Sequence, residues 1–147
     1  MDKDLEDFLS YWFSGYANGL EQMDESAQDT LLRACGLACG RSYTFQVFSE
    51  AFARSANLDE FLAELASRFP ASKYERIAVD KIKVSIAQCG CDLVRLGWVK
   101  SPIQCKCSVY NLQQNFAHAL QKPVQVRLLS SILGGAEICE FEVTLSS

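Results

Sequence analysis

The sequence predicts an α+β domain in which N-terminal helices pack on a four-stranded antiparallel sheet. Through residues 1–70, apolar side chains recur at spacings of three and four, which is the period of amphipathic helices. Residues 71–147 instead contain stretches that alternate between apolar and polar side chains, which is the period of strands. Because 147 residues is the usual size of one domain, we expect a single domain (1–147), with a helical layer over 1–70 and a sheet with one helix over 71–147.

Four helices are predicted in the first half. The first covers residues 5–20, and the second begins at Asp24, whose carboxylate suits a helix N-terminus, and runs to about residue 40. The third covers 44–55, and the fourth starts after Asn57, a favourable N-cap residue, and ends at Pro70. The first and fourth helices present one apolar side, and we expect the helical layer to pack on the sheet.

Two predicted hairpins flank a fifth helix in the second half. Residues 76–88 alternate as a strand, residues 89–92 (Cys-Gly-Cys-Asp) are expected to turn, and Val94, Leu96 and Trp98 continue on the partner strand. A helix is predicted over 105–121. Strands beginning at 124 and 139 then pair across a Gly-Gly turn, which completes a ββαββ order.

Charge and hydropathy exclude several classes of partner and location. The net charge of −4 lacks the basic surface that binding to a phosphate backbone requires, so we expect no nucleic acid partner. No apolar run approaches the roughly 18 residues of a membrane-spanning helix, so we expect no membrane partner. The first residues are acidic, unlike a secretory signal, and we expect a cytoplasmic protein.

Seven cysteines are the unusual feature of the composition. In the cytoplasm they are expected to be reduced, and as small apolar side chains they can simply pack in the core. Metal binding is a second interpretation, with Cys89, Cys91, Cys105 and Cys107 as a zinc ligand set, although zinc pairs are more often spaced as in Cys35-x3-Cys39. Redox or nucleophilic use is a third.

An apolar cavity between the helices and the sheet is the expected ligand site, because such interlayer cavities commonly bind small molecules. Aromatic side chains are frequent in this chain, and we expect Trp12, Tyr16 and Trp98 to line the cavity.

No catalytic set is recognisable. Gly-x-Ser-x-Gly, phosphate-loop and dinucleotide glycine motifs are absent. The one histidine, His118, falls late in the predicted helix, where a surface position is expected, and a cysteine at 105 or 107 would be eleven or more residues from it. Asp92, in the predicted turn, is a candidate acid or base. Catalytic residues are therefore unknown and enzymatic activity stays open.

The C-terminal third resembles a known family. Its features are Cys105-Lys106-Cys107-Ser108 at the start of a helix, Pro123-Val124-Gln125-Val126, and Ser131-Ile132-Leu133-Gly134-Gly135-Ala136-Glu137-Ile138-Cys139-Glu140-Phe141-Glu142-Val143. This pattern resembles the end of the vinyl-4-reductase domain and of the related L-2-amino-thiazoline-4-carboxylic acid hydrolases. The resemblance covers about 40 residues well and implies a small-molecule sensor or binding domain.

The resemblance also implies a structural zinc in some members, held by a cysteine at the helix start and by a Glu-x2-Cys-x7-Cys run. With the last cysteine of that run at Cys139, the other two positions hold Leu128 and Ser131. This zinc site is therefore incomplete in the present sequence.

Taken together, these patterns favour a domain that binds a small-molecule ligand. A hydrolase of a small amide or thiazoline-type compound is one alternative, and a zinc protein organised by cysteines is another. The sequence leaves a homodimer open.

Overall fold

The computed structural model describes residues 1–146 and has the predicted α+β architecture. Its elements are α1 (Lys3–Gln22), α2 (Glu25–Gly40), α3 (Thr44–Ala53), α4 (Leu58–Arg68), β1 (Ser72–Ala78), β2 (Lys81–Ile86), α5 (Asp92–Arg95), a 3₁₀ turn (Pro102–Gln104), α6 (Cys105–Leu120), β3 (Val124–Ser130) and β4 (Cys139–Leu145).

Two of the predicted helix starts are visible as side-chain caps. The carboxylate of Asp24 accepts a hydrogen bond from the Ala27 amide at 2.8 Å, and the Asn57 side chain accepts one from the Glu60 amide at 2.9 Å. Each satisfies a backbone donor that the first helical turn leaves without a partner, so α2 and α4 begin where the sequence predicted.

The four strands form one antiparallel sheet in the order β1-β2-β4-β3. In β4 the buried side chains of Cys139, Phe141, Val143 and Leu145 alternate with less buried polar ones, as predicted. The opposite face of the sheet carries cross-strand ion pairs; Glu142, for example, lies 3.4 Å from both Lys81 and Arg127. One face of the sheet is thus apolar and meets the helices.

The predicted first hairpin is wrong in position. Residues 76–88 are not one strand, because the chain turns at Val79 and Asp80 and returns as β2. Residues 94–98 are not the partner strand; they belong to α5 and the turn that follows it, where Gly97 adopts a φ of +81°. The turn at 79–80 contains no glycine or proline, whereas the Cys-Gly-Cys-Asp stretch resembles a turn, so local composition favoured the wrong position.

Aromatic side chains fill the space between the helices and the sheet. Phe116 of α6 packs edge-to-face against Phe48 of α3 and Phe61 of α4, with ring centroids 5.2 and 6.0 Å away. All three are buried and belong to a continuous core with the inner faces of β2, β3 and β4. No helix within residues 1–146 is long and apolar enough to cross a membrane.

Candidate functional site

The structure brings the three aromatic residues predicted to bind a ligand into one group. The ring of Trp12 stacks on that of Tyr16 with centroids 6.2 Å apart, and Trp98 stacks on Phe13 at 6.4 Å. Phe13 also packs edge-to-face against Tyr16 at 5.9 Å. Trp12, Phe13, Tyr16 and Trp98 are hereafter the aromatic cluster; Phe13, its central member, was missed by the sequence prediction.

Two elements build this cluster. Three of its members lie within little more than one turn of α1, which places Phe13 and Tyr16 on one face. Trp98 comes from the turn after α5, where the amides of Trp98 and Val99 both donate hydrogen bonds to the Leu93 carbonyl, at 2.9 and 3.2 Å. Because Val99 is buried, this turn is anchored to the body of the protein, and Trp98 faces α1.

One polar pair joins the cluster to the start of α6. The Tyr16 hydroxyl donates a hydrogen bond of 2.8 Å to Oε1 of Gln104. Gln104 is only 4% exposed. Burial raises the pKa of Tyr16 to about 12, and the thiols of Cys35 and Cys107 act in the same direction. The phenol therefore remains a neutral hydrogen-bond donor throughout the physiological pH range.

The position of this cluster corrects the expected location of a ligand site. The space between helices and sheet is occupied by the core around Phe48, Phe61 and Phe116, and Trp12, Tyr16 and Trp98 lie outside that core. They meet between α1 and the segment before α6 instead. Trp98 belongs to the turn after α5 rather than to a strand of the sheet, and its ring stacks on Phe13 of α1 instead of facing the interlayer space.

Two clefts lie elsewhere on the surface. One, of about 590 Å³, is an open groove along α2, and the other, of about 290 Å³, lies where the α3–α4 connection meets the ends of α6 and β4. They are lined by Glu25, Ser26, Asp29, Thr30 and Arg33 in the first case, and by Phe52, Ser55, Ala56, Asn57, Leu58, Leu120, Lys122 and Leu145 in the second. Neither contains a residue of the aromatic cluster.

Thiols from separate parts of the chain adjoin the aromatic cluster. Cys35 and Cys39 lie one turn apart on α2, which crosses α6 so closely that a Cβ on Gly36 would come within 2.5 Å of the Cys107 carbonyl oxygen. Burial is the largest cause that raises the pKa of Cys107 to about 12. The thiols of Cys39, Cys35 and Cys91 act in the same direction. These four cysteines are therefore neighbours, although 72 positions separate the first from the last.

A second thiol pair lies where β4 begins. Cys105 and Cys139 are both buried, the Cys105 thiol is hydrogen-bonded to Ser131, and the Ile132 amide donates to Sγ of Cys139 at 3.3 Å. Burial is the main cause of the raised pKa of Cys105. The Ser131 and Cys139 positions, which the family resemblance assigned to a metal site, thus lie beside the helix-start cysteine.

The predicted zinc ligands Cys89, Cys91 and Cys107 are half-buried, and Cys105 is buried. Burial raises the pKa values of the Cys89, Cys105 and Cys107 thiols. Within residues 1–146, no three histidine, cysteine, aspartate or glutamate side chains are grouped so that they could hold a metal ion. Zinc binding by these cysteines stays a prediction.

The candidate acid and base groups lie apart from one another. The Asp92 side chain is 75% exposed and forms an ion pair with Arg95 at 2.8 Å. His118 is exposed near the end of α6, where its ring stacks on Phe45 at 4.0 Å. Cys107 is on the same helix about 16 Å away along its axis, so the two cannot form a nucleophile–base pair.

Comparison with known proteins shows similarity in fold only. No protein-family model and no curated protein matches this chain. The phenol-responsive sensory domain of the transcription activator PoxR, solved with phenol, is similar with a TM-score of 0.58 and 12% identity, over 93% of this chain and 74% of that one. A trafficking protein particle complex subunit 3 from Naegleria fowleri, covalently bound to palmitic acid, is similar with a TM-score of 0.56 and 10% identity, over 99% and 98% of the two chains. Nearly the whole chain therefore has the fold that these two proteins share.

Proposed function

We propose that this chain is a small-molecule-binding, sensor-like domain of the vinyl-4-reductase type, and that the aromatic cluster is its ligand site. The observation that carries the proposal is the meeting of Trp12, Tyr16 and Trp98 beside the buried Gln104. Two proteins of the same fold, one with phenol and one with covalently bound palmitic acid, support ligand binding as a use of this fold.

The chemistry of the cluster favours an aromatic or otherwise apolar ligand with one polar group. Stacked and edge-to-face rings offer flat apolar surfaces, which attract a further ring or a hydrocarbon chain. Next to them, the Tyr16 hydroxyl oxygen has an acceptor site left after its bond to Gln104, and the Gln104 amide nitrogen is a donor. A ligand hydroxyl or carboxyl group could exchange hydrogen bonds with this pair while its apolar part lies against Trp98.

Family membership is supported by the second thiol pair. The resemblance assigns the metal-site positions of the family to the helix start and to residues 128, 131 and 139. Here the Cys105 thiol adjoins Ser131, and the amide of the next residue, Ile132, donates a hydrogen bond to Sγ of Cys139. Leucine and serine replace two of the ligands, at positions 128 and 131, yet the helix start, residue 131 and residue 139 still lie together. We therefore infer a common origin in which this corner of the fold is retained.

Calorimetric titration of the full chain with phenol and with palmitate tests the proposal. We expect heat of binding for at least one of them, and an affinity about fivefold weaker or more for Trp98→Ala, since the loss of a stacking ring costs about 1 kcal/mol or more. Tyr43→Ala is the matched control, because Tyr43 is an exposed aromatic residue outside the cluster, and it should leave the affinity unchanged. Absence of binding to both compounds, or equal affinities of Trp98→Ala and the unmodified chain, contradicts the proposal.

A further inference from the structure

The seven cysteines of the chain lie in one part of the fold, although they come from four separate segments. Each cysteine at the start of α6 has thiols of other segments as neighbours: those of Cys35, Cys39 and Cys91 around Cys107, and those of Cys89, Cys91 and Cys139 around Cys105. We call these seven residues the cysteine cluster. Two of its thiols can become a disulfide wherever their backbones allow the sulfurs to meet.

Cys39 is the member of the cluster that a dissolved reagent reaches first. Its residue is exposed, whereas the other six cysteines are half-buried or buried. It lies in the last turn of α2, where its thiol adjoins Cys91 and Asp92 at the start of α5. A disulfide formed from solvent should therefore include Cys39.

Of the thiols around Cys39, Cys91 has the backbone that can best adopt disulfide geometry, which requires Cβ atoms about 3.5–4.5 Å apart. Cys35 lies one turn away on the same helix, where Cβ atoms are about 5–6 Å apart. Cys107 lies inside α6, whose separation from α2 is fixed by the close crossing of the two helices. Cys91 instead follows Gly90 in a segment outside the helices and strands, and a Cβ on Gly90 would meet no atom within 4 Å, so this backbone has room to adjust.

We propose that Cys39 and Cys91 are a modification site at which a low-molecular-weight disulfide, such as oxidised glutathione, converts two thiols into a reversible protein disulfide. The Cys39 thiolate attacks one sulfur of oxidised glutathione, whose S–S bond breaks and releases one glutathione thiolate. The Cys91 thiolate then attacks the Cys39 sulfur of the mixed disulfide and displaces the second glutathione. The protons of both protein thiols end on the two glutathiones, and the two electrons that the protein loses reduce the oxidised glutathione.

The disulfide would join α2 to the segment that holds Trp98. The Cys91 carbonyl accepts hydrogen bonds from the Val94 and Arg95 amides at 3.1 and 3.0 Å, so Cys91 is part of the first turn of α5. The turn that carries Trp98 follows directly. Oxidation would thus tie this turn to α2, while no residue of the aromatic cluster takes part in the exchange, so the proposal does not rest on ligand binding.

Peptide mapping of the full chain, equilibrated with mixtures of reduced and oxidised glutathione, tests the pairing. Burial raises the pKa of Cys39 and slows the exchange, so the mixtures are left to equilibrate at pH 8. Trypsin places the α2 cysteines on residues 34–41 and the other pair on residues 84–95, and fragmentation of the joined peptides identifies the linked sulfurs. We expect Cys39–Cys91 to be the main disulfide and to disappear with dithiothreitol, whereas in urea this pair should be no more abundant than others.

Serine variants provide the controls. Cys39→Ser and Cys91→Ser should each abolish the joined peptide, and Cys35→Ser, which removes a thiol from the same tryptic peptide, should leave it unchanged. Fragmentation of the unmodified chain assigns the pair even where a variant fails to fold. The proposal is overturned if the main product in the folded chain is another pair or a lasting mixed disulfide, if no disulfide forms, or if Cys35→Ser loses the link.

Urea denaturation shows whether the link suits the native structure. A disulfide between positions 52 residues apart restricts the unfolded chain, so the oxidised chain should have a midpoint about 1 M or more above that of the reduced chain. Cys35→Ser should show the same increase and Cys91→Ser, treated in the same way, none. A lower midpoint after oxidation would mean that the link distorts the fold, and it would equally overturn the proposal.

Discussion

Cys107 is held as a neutral thiol by its position in the fold. Its side chain is half-buried where α2 crosses α6, and burial is the largest cause that raises its pKa to about 12. The neighbouring thiols of Cys39, Cys35 and Cys91 add to the effect, because an anion at Cys107 would be unfavourable beside any other thiolate. Only the thiolate is a strong nucleophile, so this environment suppresses the reactivity of Cys107 at neutral pH.

We therefore predict that iodoacetamide modifies Cys107 at pH 8 at least about 100-fold more slowly than it modifies a free cysteine peptide, whose pKa is near 8.5. The sign follows from the raised pKa, since the thiolate fraction at pH 8 falls when the pKa rises. The rate should increase continuously as the pH is raised toward 11. Mass spectrometry of timed samples measures the rate at each cysteine separately.

The same chain in denaturant is the control, because all seven cysteines should then react at the rate of the peptide. The burial-raised pKa values of Cys89 and Cys105 predict slow modification of these thiols as well. Modification of Cys107, Cys89 or Cys105 in the folded chain faster than that of the peptide would contradict this account, and it would favour the interpretation of the protein as a cysteine-dependent hydrolase.

At the scale of elements, the crossing of α2 and α6 depends on Gly36. A Cβ at this position would lie 2.5 Å from the Cys107 carbonyl oxygen and 3.2 Å from the Asn111 amide nitrogen. Both neighbours are backbone atoms of α6, so they cannot turn aside as a side chain could. The side chain of Asn111 adds a hydrogen bond of 3.2 Å to the Gly36 carbonyl oxygen, which fixes the two helices at this separation.

We predict that Gly36→Ala lowers the free energy of unfolding by about 1–3 kcal/mol, because the strain of overpacking outweighs the gain in helix propensity of about 1 kcal/mol. Urea denaturation followed by far-UV circular dichroism measures the change. Gly90→Ala serves as the control, since a Cβ at Gly90 meets no atom within 4 Å, and its effect should stay within about 0.5 kcal/mol. If the two variants are equally stable, the close approach of α2 and α6 does not contribute as described.

The sequence predicted correctly those elements that are set by residues close together in the chain. Asp24 and Asn57 mark helix starts because a cap acts on the next three residues, and β4 shows strict alternation because one of its faces is buried. The first hairpin was misplaced because a two-residue turn of Val79 and Asp80 has no glycine or proline to mark it.

The candidate site was predicted only in part, because some of its contacts join residues that are far apart in the sequence. Aromatic residues on one face of α1 were visible from their spacing, but their meeting with Trp98 depends on a contact between positions more than 80 residues apart. The grouping of Cys35, Cys39, Cys91 and Cys107 was equally hidden, since it requires the α2–α6 crossing. Gly36 inside a predicted helix was the one available indication, because such a glycine often permits close helix packing.

The whole molecule contains two unequal packing units. The large one is the core shared by α3, α4, α6 and the sheet, with fully buried Phe61 and Phe116 at its centre. The small one is the aromatic cluster, in which α1 and the segment after α5 touch through half-exposed rings. Both tryptophans of the chain, Trp12 and Trp98, belong to the small unit. Tryptophan fluorescence therefore reports on the small unit, whereas far-UV circular dichroism reports on the secondary structure of the whole chain.

We predict that the small unit opens before the core unfolds. It buries less apolar surface, and regions with few buried apolar contacts have lower local stability. In urea, at protein concentrations too low for two copies to associate, the fluorescence transition should have a midpoint roughly 0.5–1 M lower than the circular dichroism transition, which corresponds to a difference of about 1–2 kcal/mol. Trp12→Phe and Trp98→Phe, each with one remaining tryptophan, should show the same early transition, because the two rings are held by the same contacts. Coincident fluorescence and circular dichroism curves would mean that α1 and the core unfold as one cooperative unit, and the division into two packing units would then have to be abandoned.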